Sequence, residues 1–510
     1  MTRVDRTVLI IGAGFAGLCL GTRLKQAGVR SFRIFERAAD IGGTWRDNNY
    51  PGSSCDVPSH LYSYSFRKYR GVDKRYSTQR EILDYLRGCV ADYDLGGHIE
   101  LRKEVVSATF LESDGQWEVR TADGGRHHCD LLVSAVGQLT IPKYPELPGA
   151  REFAGTALHS ARWDPAHDVR GERVAVIGTG SSAVQIVPAL AGRAGHLCTF
   201  QRSPNWILPK PPDEFSRAWR TAFRLCPPLH GAYRGALSMR SEHVLFPALR
   251  RGWSTKLMTT MARKHLYRQV GDPGLRERLL PDYSFGCKRI VLSSDYFTTL
   301  TRPDVELVTE SIEEITPGGI RTVDGRHHDV DTIVYATGFL STDFLVPTTV
   351  TGSGGRDLHE QWKEYPTAYL GMAYPGFPNL LLMYGPNTSL GHNSIIPMLE
   401  AQAGYILQYL RELEGRSAGA LDVRPEAMDE WEAELGDALS KMVWTESCTA
   451  WFKTESGRVT NNWPGRTSGY RRATRRLEPA AYRFIPAAEA APGASPPRAR
   501  GAASPSGRQK

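Results

Sequence analysis

The stretch Thr7-Val8-Leu9-Ile10-Ile11-Gly12-Ala13-Gly14-Phe15-Ala16-Gly17 decides the fold. A β-rich apolar run leads into Gly-x-Gly-x-x-Gly, and Phe15 to Ala27 then has helical periodicity that stops at Gly28. Gly12 permits the tight bend, Gly14 lets the backbone approach a pyrophosphate, and Gly17 lets the helix pack on the strand. The helix N-terminus, opening at Phe15, presents oriented N–H groups to the anion. Ser31 to Phe35 reads as the next strand and is followed by Glu36, whose carboxylate suits the diol of a ribose.

The same unit recurs farther along. Arg173 to Ile177 reads as a strand, Ser181 to Ala191 as a helix ending near Gly192, and His196 to Phe200 as a strand. Between the first two lies Gly178-Thr179-Gly180-Ser181-Ser182-Ala183, in which Ala183 takes the tolerated last slot. Glu36 stands 24 residues after Gly12, and Arg202 stands 24 after Gly178. The units thus match in length and differ in charge at the ribose end. A carboxylate repels a 2′-phosphate, whereas Arg202 attracts one and Ser203 adds a hydrogen bond. FAD is therefore assigned to the first site and NADPH to the second. The fold class that follows is α/β, with two Rossmann-like dinucleotide-binding domains and a helical insertion.

Working outward, residues 1–145 read as the first part of the FAD-binding domain and 146–209 as the first part of the NADPH-binding domain. Residues 210–285 carry Trp219, Phe223, Tyr233, Leu237, Leu249 and Trp253 at roughly helical spacings, too long a stretch for a structureless loop. Residues 286–338 return to the NADPH-binding domain, with strands expected at Lys288 to Val291, Val305 to Val308 and Thr332 to Ala336. Residues 339–486 complete the FAD-binding domain, with a long helix expected over His392 to Leu413. Residues 487–510, rich in Ala, Pro, Gly, Ser and Arg, read as a disordered tail. Gly42-Gly43-Thr44-Trp45 follows Glu36 and suits backbone packed against a flavin. Gly385-Pro386-Asn387 precedes the long helix, whose N-terminal dipole suits the negative charge of reduced flavin.

Composition narrows the classes further. The chain has 510 residues, is 41% hydrophobic and 23% charged, and contains no apolar run long enough to span a bilayer. No secretory leader is read at Met1 to Val8, and a cytoplasmic location is expected. The net charge of +8 is spread out, apart from Arg471, Arg472, Arg475, Arg476 and part of the tail. Two dinucleotides need cations, so no nucleic-acid partner and no metal is called. The eight cysteines are scattered without C-x-x-C, which fits free thiols and disfavours a disulfide reductase.

The segment Phe153-x-Gly155-x-x-x-His159-x-x-x-Trp163-Asp164 resembles the fingerprint of the type I Baeyer–Villiger monooxygenases, within the flavin-containing monooxygenase class. The resemblance runs from about Val8 to about Phe484. Tyr50-Pro51-Gly52-Ser53-Ser54-Cys55-Asp56 resembles the segment holding that group's active-site aspartate, here Asp56. Phe285-Gly286-Cys287-Lys288-Arg289 resembles the one holding its active-site arginine, here Arg289. Lys288 then resembles a lysine that holds the NADPH 2′-phosphate. Tyr62 and Val105 resemble flavin-contacting positions, and Trp451 one that touches the nicotinamide ribose. Asn461-Asn462-Trp463-Pro464-Gly465 and Gly385-Pro386-Asn387-Thr388-Ser389 depart from the best-known members.

The resemblance implies that NADPH reduces FAD, that reduced flavin takes O2 at C4a, and that the resulting peroxide attacks a ketone carbonyl to give an ester or lactone. It assigns charge stabilisation to Arg289, orientation of that arginine to Asp56, and coupling between domains to His159. The ketone partner is expected to be shaped by the helical insertion and by the loops near Asn387 and Trp463. Their aromatic content favours a bulky or polycyclic substrate. A flavin-dependent N- or S-monooxygenase shares both cofactors and has no need of Arg289. A redox-sensing NADPH-binding protein needs neither Asp56 nor Arg289. Oligomeric state is not legible.

Overall fold

The computed structural model describes residues 6–68, 74–416 and 418–486. The tail read at 487–510 lies outside the described residues. Two five-stranded parallel sheets carry the architecture. The first is ordered Leu380–Leu382, Leu131–Ser134, Val8–Ile11, Phe32–Glu36, Ile99–Leu101. The second is ordered Val305–Val308, His196–Phe200, Arg173–Ile177, Thr332–Tyr335, Thr156–His159. In both, the strand before the glycine turn is central and the strand after its helix lies beside it. That is the doubly wound arrangement expected of right-handed βαβ units.

Each sheet is covered on both faces, which explains its nearly unbroken apolar strands. Along Val8–Ile11 the side chains alternate. Val8 and Ile10 pack with Leu18, Leu20, Ile396 and Leu399 of the helices Phe15–Gln26 and Ile396–Gly415. Leu9 and Ile11 turn the other way, to Val105, Phe110, Trp117 and Leu132. Val105 and Trp117 belong to a mixed four-stranded layer, in which Val105–Leu111, Gln116–Thr121 and Arg126–Cys129 pair antiparallel and Thr349–Thr351 joins Val105–Leu111 in parallel. The second sheet repeats this plan. Val174 and Val176 pack with Val184 and Val187 of the helix Ser181–Leu190, while Ala175 and Ile177 face Ile315 and Ile320 of a smaller antiparallel layer. Burying each such Val, Leu or Ile contributes about 1.5–3 kcal/mol.

Between the sheets' strands the chain makes a largely helical excursion, with helices Arg217–Leu225, Pro227–Arg240, Phe246–Leu249, Ser254–Gln269 and Pro273–Leu279.

Three sequence expectations need correction. No strand runs over Lys288 to Val291. Only Val291–Leu292 is extended, and it pairs with Ile207–Leu208 outside the five-stranded sheet. Gly286 turns the chain at φ +88, and the polar pair that follows faces a cavity. The long helix begins at Ile396, not His392, because Pro397 in its first turn fixes the start and Ser394 Oγ accepts from Ile396 N at 3.2 Å. Finally, the cysteines are not all free. Cys287 and Cys448 form a disulfide across 161 residues, and six others remain thiols. Spacing does not reveal a pair that only the tertiary fold brings together.

Candidate functional site

The two glycine turns are built by the same steric rule. At Gly12 the backbone has φ +105, and a Cβ there would lie 2.7 Å from the carbonyl oxygen of Ala135, just past the neighbouring strand. At Gly178 φ is +123, and a Cβ would lie 2.4 Å from the carbonyl oxygen of Ala336, just past the corresponding strand. Only glycine fits either place. Gly17 is tighter still, since a Cβ would meet the carbonyl oxygen of Gly12 at 1.9 Å. Gly14 sits against Gly43, where a Cβ on Gly43 would lie 3.4 Å from the Gly14 Cα. Both turns therefore expose bare backbone ahead of a helix N-terminus, which is the cradle a dinucleotide pyrophosphate fits.

The strand ends diverge. Glu36 is buried; its Oε2 accepts from Ala13 N at 2.9 Å, inside the first turn, and its Oε1 accepts from Ala38 N at 3.0 Å and Arg46 Nη1 at 2.9 Å. Arg202 is exposed and enters no ion pair among the described residues. Beside it Lys288 Nζ donates to Ser203 Oγ at 2.6 Å. Burial and the neighbouring Arg202 guanidinium push the Lys288 ammonium below its usual value. Two cations and a hydroxyl at one strand end make an anion site. The second turn is tied by neutral groups: Thr179 Oγ1 donates to the carbonyl of Ser203 at 2.9 Å, and Asn205 Nδ2 donates to the Thr179 carbonyl at 2.5 Å.

A cavity of about 1560 Å³ opens at the carboxyl ends of the second sheet's strands. It exceeds the roughly 300–1,000 Å³ of an ordinary small-molecule pocket. Its wall brings together Thr44, Trp45, Asp56, Tyr62, Gly178, Thr179, Gly180, Ser181, Ser182, Arg202, Ser203, Lys288, Arg289 and Trp451. It does not include Gly12, Gly14, Phe15, Gly17, Glu36, Gly43, Val105, Ala183 or Asn387. Phe15 packs edge-on against Tyr62, whose hydroxyl accepts from Trp45 Nε1 at 3.0 Å. Val105 is buried, and its carbonyl accepts from Thr348 Oγ1 at 3.1 Å.

Within the cavity, Arg289 Nη2 donates to both carboxylate oxygens of Asp56, at 2.8 and 2.7 Å. The Asp56 carboxylate raises the Arg289 pKa further above its ordinary value, so the guanidinium holds its charge at every working pH. The segment carrying Asp56 is docked on the other glycine unit. Gln185, on the helix Ser181–Leu190, accepts from Tyr50 OH at 2.9 Å and donates to the Ser54 carbonyl at 3.0 Å. Sequence reading passes over Gln185, because nothing local distinguishes it from any polar helix residue.

The Phe153–Asp164 segment lies where the chain crosses between sheets. His159 is buried, accepts from Ala161 N at Nδ1 (3.1 Å) and contacts the Gly338 carbonyl through Nε2 at 3.0 Å, so the proton sits on Nε2. Burial lowers its pKa to about 4, which leaves the ring neutral. Gly338 belongs to one crossing and Lys143 to the other, and Lys143 N donates to the Gly338 carbonyl at 2.9 Å. Gly155 is required because a Cβ would lie 2.3 Å from the Asp331 carbonyl. Phe153 packs at the edge of the smaller core, Trp163 is buried in the larger, and Asp164 accepts from Ala166 N at 2.9 Å.

The loop near Asn387 reaches the large cavity through Ser389, Leu390 and Asn393, and Leu249 of the helical excursion lines a smaller cavity beside Arg289; among the described residues neither the excursion nor Trp463 is on the large cavity's wall. Trp463 instead stacks on Trp431 at 5.7 Å. Asn387 is buried in the loop that precedes the long helix. Its Nδ2 donates to the carbonyls of Val459 and Asn462, clipping two loops together. Asn461, read only as a departure, is buried and donates to Gln138 Oε1 at 3.0 Å and to the Ser341 carbonyl at 2.7 Å, joining both crossings.

Residues 9–210 match the family described as pyridine nucleotide-disulphide oxidoreductase. The chain is similar to a Baeyer–Villiger monooxygenase of Streptomyces coelicolor, 40% identical over 96% of this chain and 94% of that one. It is similar in structure to OTEMO in complex with FAD and NADP, with TM-score 0.83, 27% identity, and 95% and 100% of the two chains covered. It is similar also to an oxidised steroid monooxygenase bound to NADP, with TM-score 0.83, 31% identity, and 94% and 99% covered.

Proposed function

The chain belongs to the Baeyer–Villiger monooxygenases, FAD- and NADPH-dependent flavoenzymes that insert one atom of O2 beside a ketone carbonyl to give an ester or lactone, and from that premise we propose how its residues divide the work. The first glycine turn, with Glu36, Gly43, Thr44, Trp45 and Tyr62, holds FAD. The second turn, with Arg202, Ser203 and Lys288, holds NADPH by its 2′-phosphate. Residues 1–145 and 339–486 form the first unit, and 146–209 and 286–338 the second. Bound FAD, once reduced by NADPH, supplies the activated oxygen.

The observation that carries the reading is the Arg289–Asp56 pair on the wall of the cavity that also receives Arg202 and Lys288. Asp56 fixes one terminal nitrogen of the guanidinium. Among the described residues no other hydrogen bond engages Arg289, so its remaining N–H groups are available to the cavity. They stabilise the negative charge that builds on the substrate carbonyl oxygen when the carbonyl carbon is attacked. Neutral His159 does no proton chemistry. It couples the two crossings, so that movement of one sheet is felt by the other. Trp451 bounds the nicotinamide end. The aromatic lining of the cavity, including Phe339, Phe344, Trp362 and Trp451, favours a bulky or polycyclic ketone. Among the described residues no helix is long and apolar enough to cross a membrane.

The test is turnover of small cyclic, linear and steroid-like ketones with NADPH under ¹⁸O2, beside a sulfide and a tertiary amine. The proposal requires an ester or lactone heavier by one labelled oxygen, with the bulky ketones preferred. Oxygenation of the sulfide and amine with no ketone consumed would transfer the enzyme to N- or S-oxygenation.

A further inference from the structure

Cys287 stands two residues before Arg289, and Cys448 stands three before Trp451. The two are joined by a disulfide. Both loops lack regular structure: one lies between the helix Pro273–Leu279 and the strand Val291–Leu292, the other between the short helices Val443–Thr445 and Thr467–Ala473. Each is braced within itself. Cys287 N donates to the Ser284 carbonyl at 3.0 Å, and Lys453 Nζ donates to the carbonyls of Glu446 and Cys448 at 2.5 and 2.8 Å. Cys287 is fully buried among Leu249, Trp444 and Phe452, while Cys448 reaches the wall of the large cavity. A second, small cavity behind that wall is lined by Lys288, Arg289 and Trp451 as well. The cross-link therefore lies at the root of the two loops whose side chains face each other across the site.

We propose that the Cys287–Cys448 bridge is a positioning element for oxygen insertion. It holds the Arg289 loop against the Trp451 loop, so that the guanidinium meets the substrate carbonyl in one place. This rests on the reading of Arg289 as the group that stabilises that carbonyl's developing charge. With the bridge open, the salt bridge to Asp56 still tethers the side chain, but the backbone two residues away is released. Both glycine turns lie outside these loops, so FAD binding persists; Lys288 and Trp451 lie within them, so NADPH is supplied at saturation. What suffers is alignment, on which rate depends steeply.

The experiment uses the FAD-loaded full chain, air-oxidised, against the same preparation reduced with a phosphine and desalted. Alkylation under denaturing conditions, read by intact mass, is expected to label six of the eight cysteines before reduction and all eight after. At saturating NADPH and ketone, the ratio of ester formed to NADPH consumed should fall about tenfold on reduction. Hydrogen peroxide should account for the difference, FAD content should be equal, and reoxidation should restore coupling. Cys448→Ser should behave like the reduced enzyme; should that variant fail to load FAD, the reversible chemical arm decides. Eight labelled cysteines before reduction, or unchanged coupling after it, overturns the proposal. Arg289→Ala assayed in parallel separates the two ideas. An Arg289→Ala enzyme that still makes ester at the original rate removes the reading of Arg289. An inactive Arg289→Ala beside a reduced enzyme that stays fully coupled removes the bridge alone.

Discussion

The two glycine-turn units share a skeleton and part company at one residue. Both place a left-handed glycine against the carbonyl just past a neighbouring strand, and both cover their sheets with helices on one face and a smaller sheet on the other. At matched distances from that glycine stand Glu36 and Arg202. The first unit turns its carboxylate inward, where it orders the turn through Ala13 N and neutralises Arg46. The second orders its turn with Thr179 and Asn205 and leaves Arg202 exposed beside Lys288. A buried carboxylate needs its partners, whereas an exposed guanidinium remains free for a ligand. One scaffold thus ends in a buried, internally paired carboxylate in the first unit and, among the described residues, in an exposed guanidinium without an ion pair in the second.

The largest effect is expected where the halves meet. Arg289 follows the helical excursion, and its partner Asp56 follows the first glycine unit, 233 residues earlier. Arg289→Ala should cut ester formation about 100- to 1000-fold, as loss of one transition-state electrostatic donor does. FAD content should hold, NADPH should still be consumed, and hydrogen peroxide should replace the ester. Product analysis with stopped-flow mixing against O2 checks this. Ester at a near-original rate would detach the pair from the chemistry.

A smaller effect tests the inward carboxylate. Glu36→Gln keeps the shape but leaves a buried N–H or Arg46 short of an acceptor, at about 2 kcal/mol. The melting temperature should fall and FAD should dissociate more readily, with NADPH affinity per FAD-loaded chain unchanged. Unaltered stability and FAD content would show that Glu36 does not order the first turn.

Much of this was legible in the sequence for a physical reason. A glycine turn between a strand and a helix is a local object, so its fold and its ribose-end charge travel together within some thirty residues. The neighbours that make those glycines obligatory, Ala135 and Ala336, lie far off in sequence, and nothing local pairs either with its turn. The same holds for Gln185, which docks the Asp56 segment, and for Cys287 and Cys448, whose spacing carries no information about their contact. The strand expected at Lys288 failed because apolar periodicity ignores a positive-φ glycine just upstream. The helical excursion was read as pocket wall from its aromatics, but Phe223 instead packs with His60, His230 and Tyr233. Arg289 and Asp56 were reached only through family resemblance, since an arginine and an aspartate 233 residues apart announce nothing alone.

The central claim, that charge at the strand end divides the cofactors, is tested most directly by steady-state kinetics of FAD-loaded Arg202→Ala with NADPH and with NADH. An exposed, charge-assisted contact to the 2′-phosphate is worth about 1.5 kcal/mol. The account predicts a KM for NADPH raised about tenfold, a KM for NADH nearly unchanged, and a preference for NADPH that shrinks by the same factor. Equal losses with both cofactors, or none with either, would contradict it.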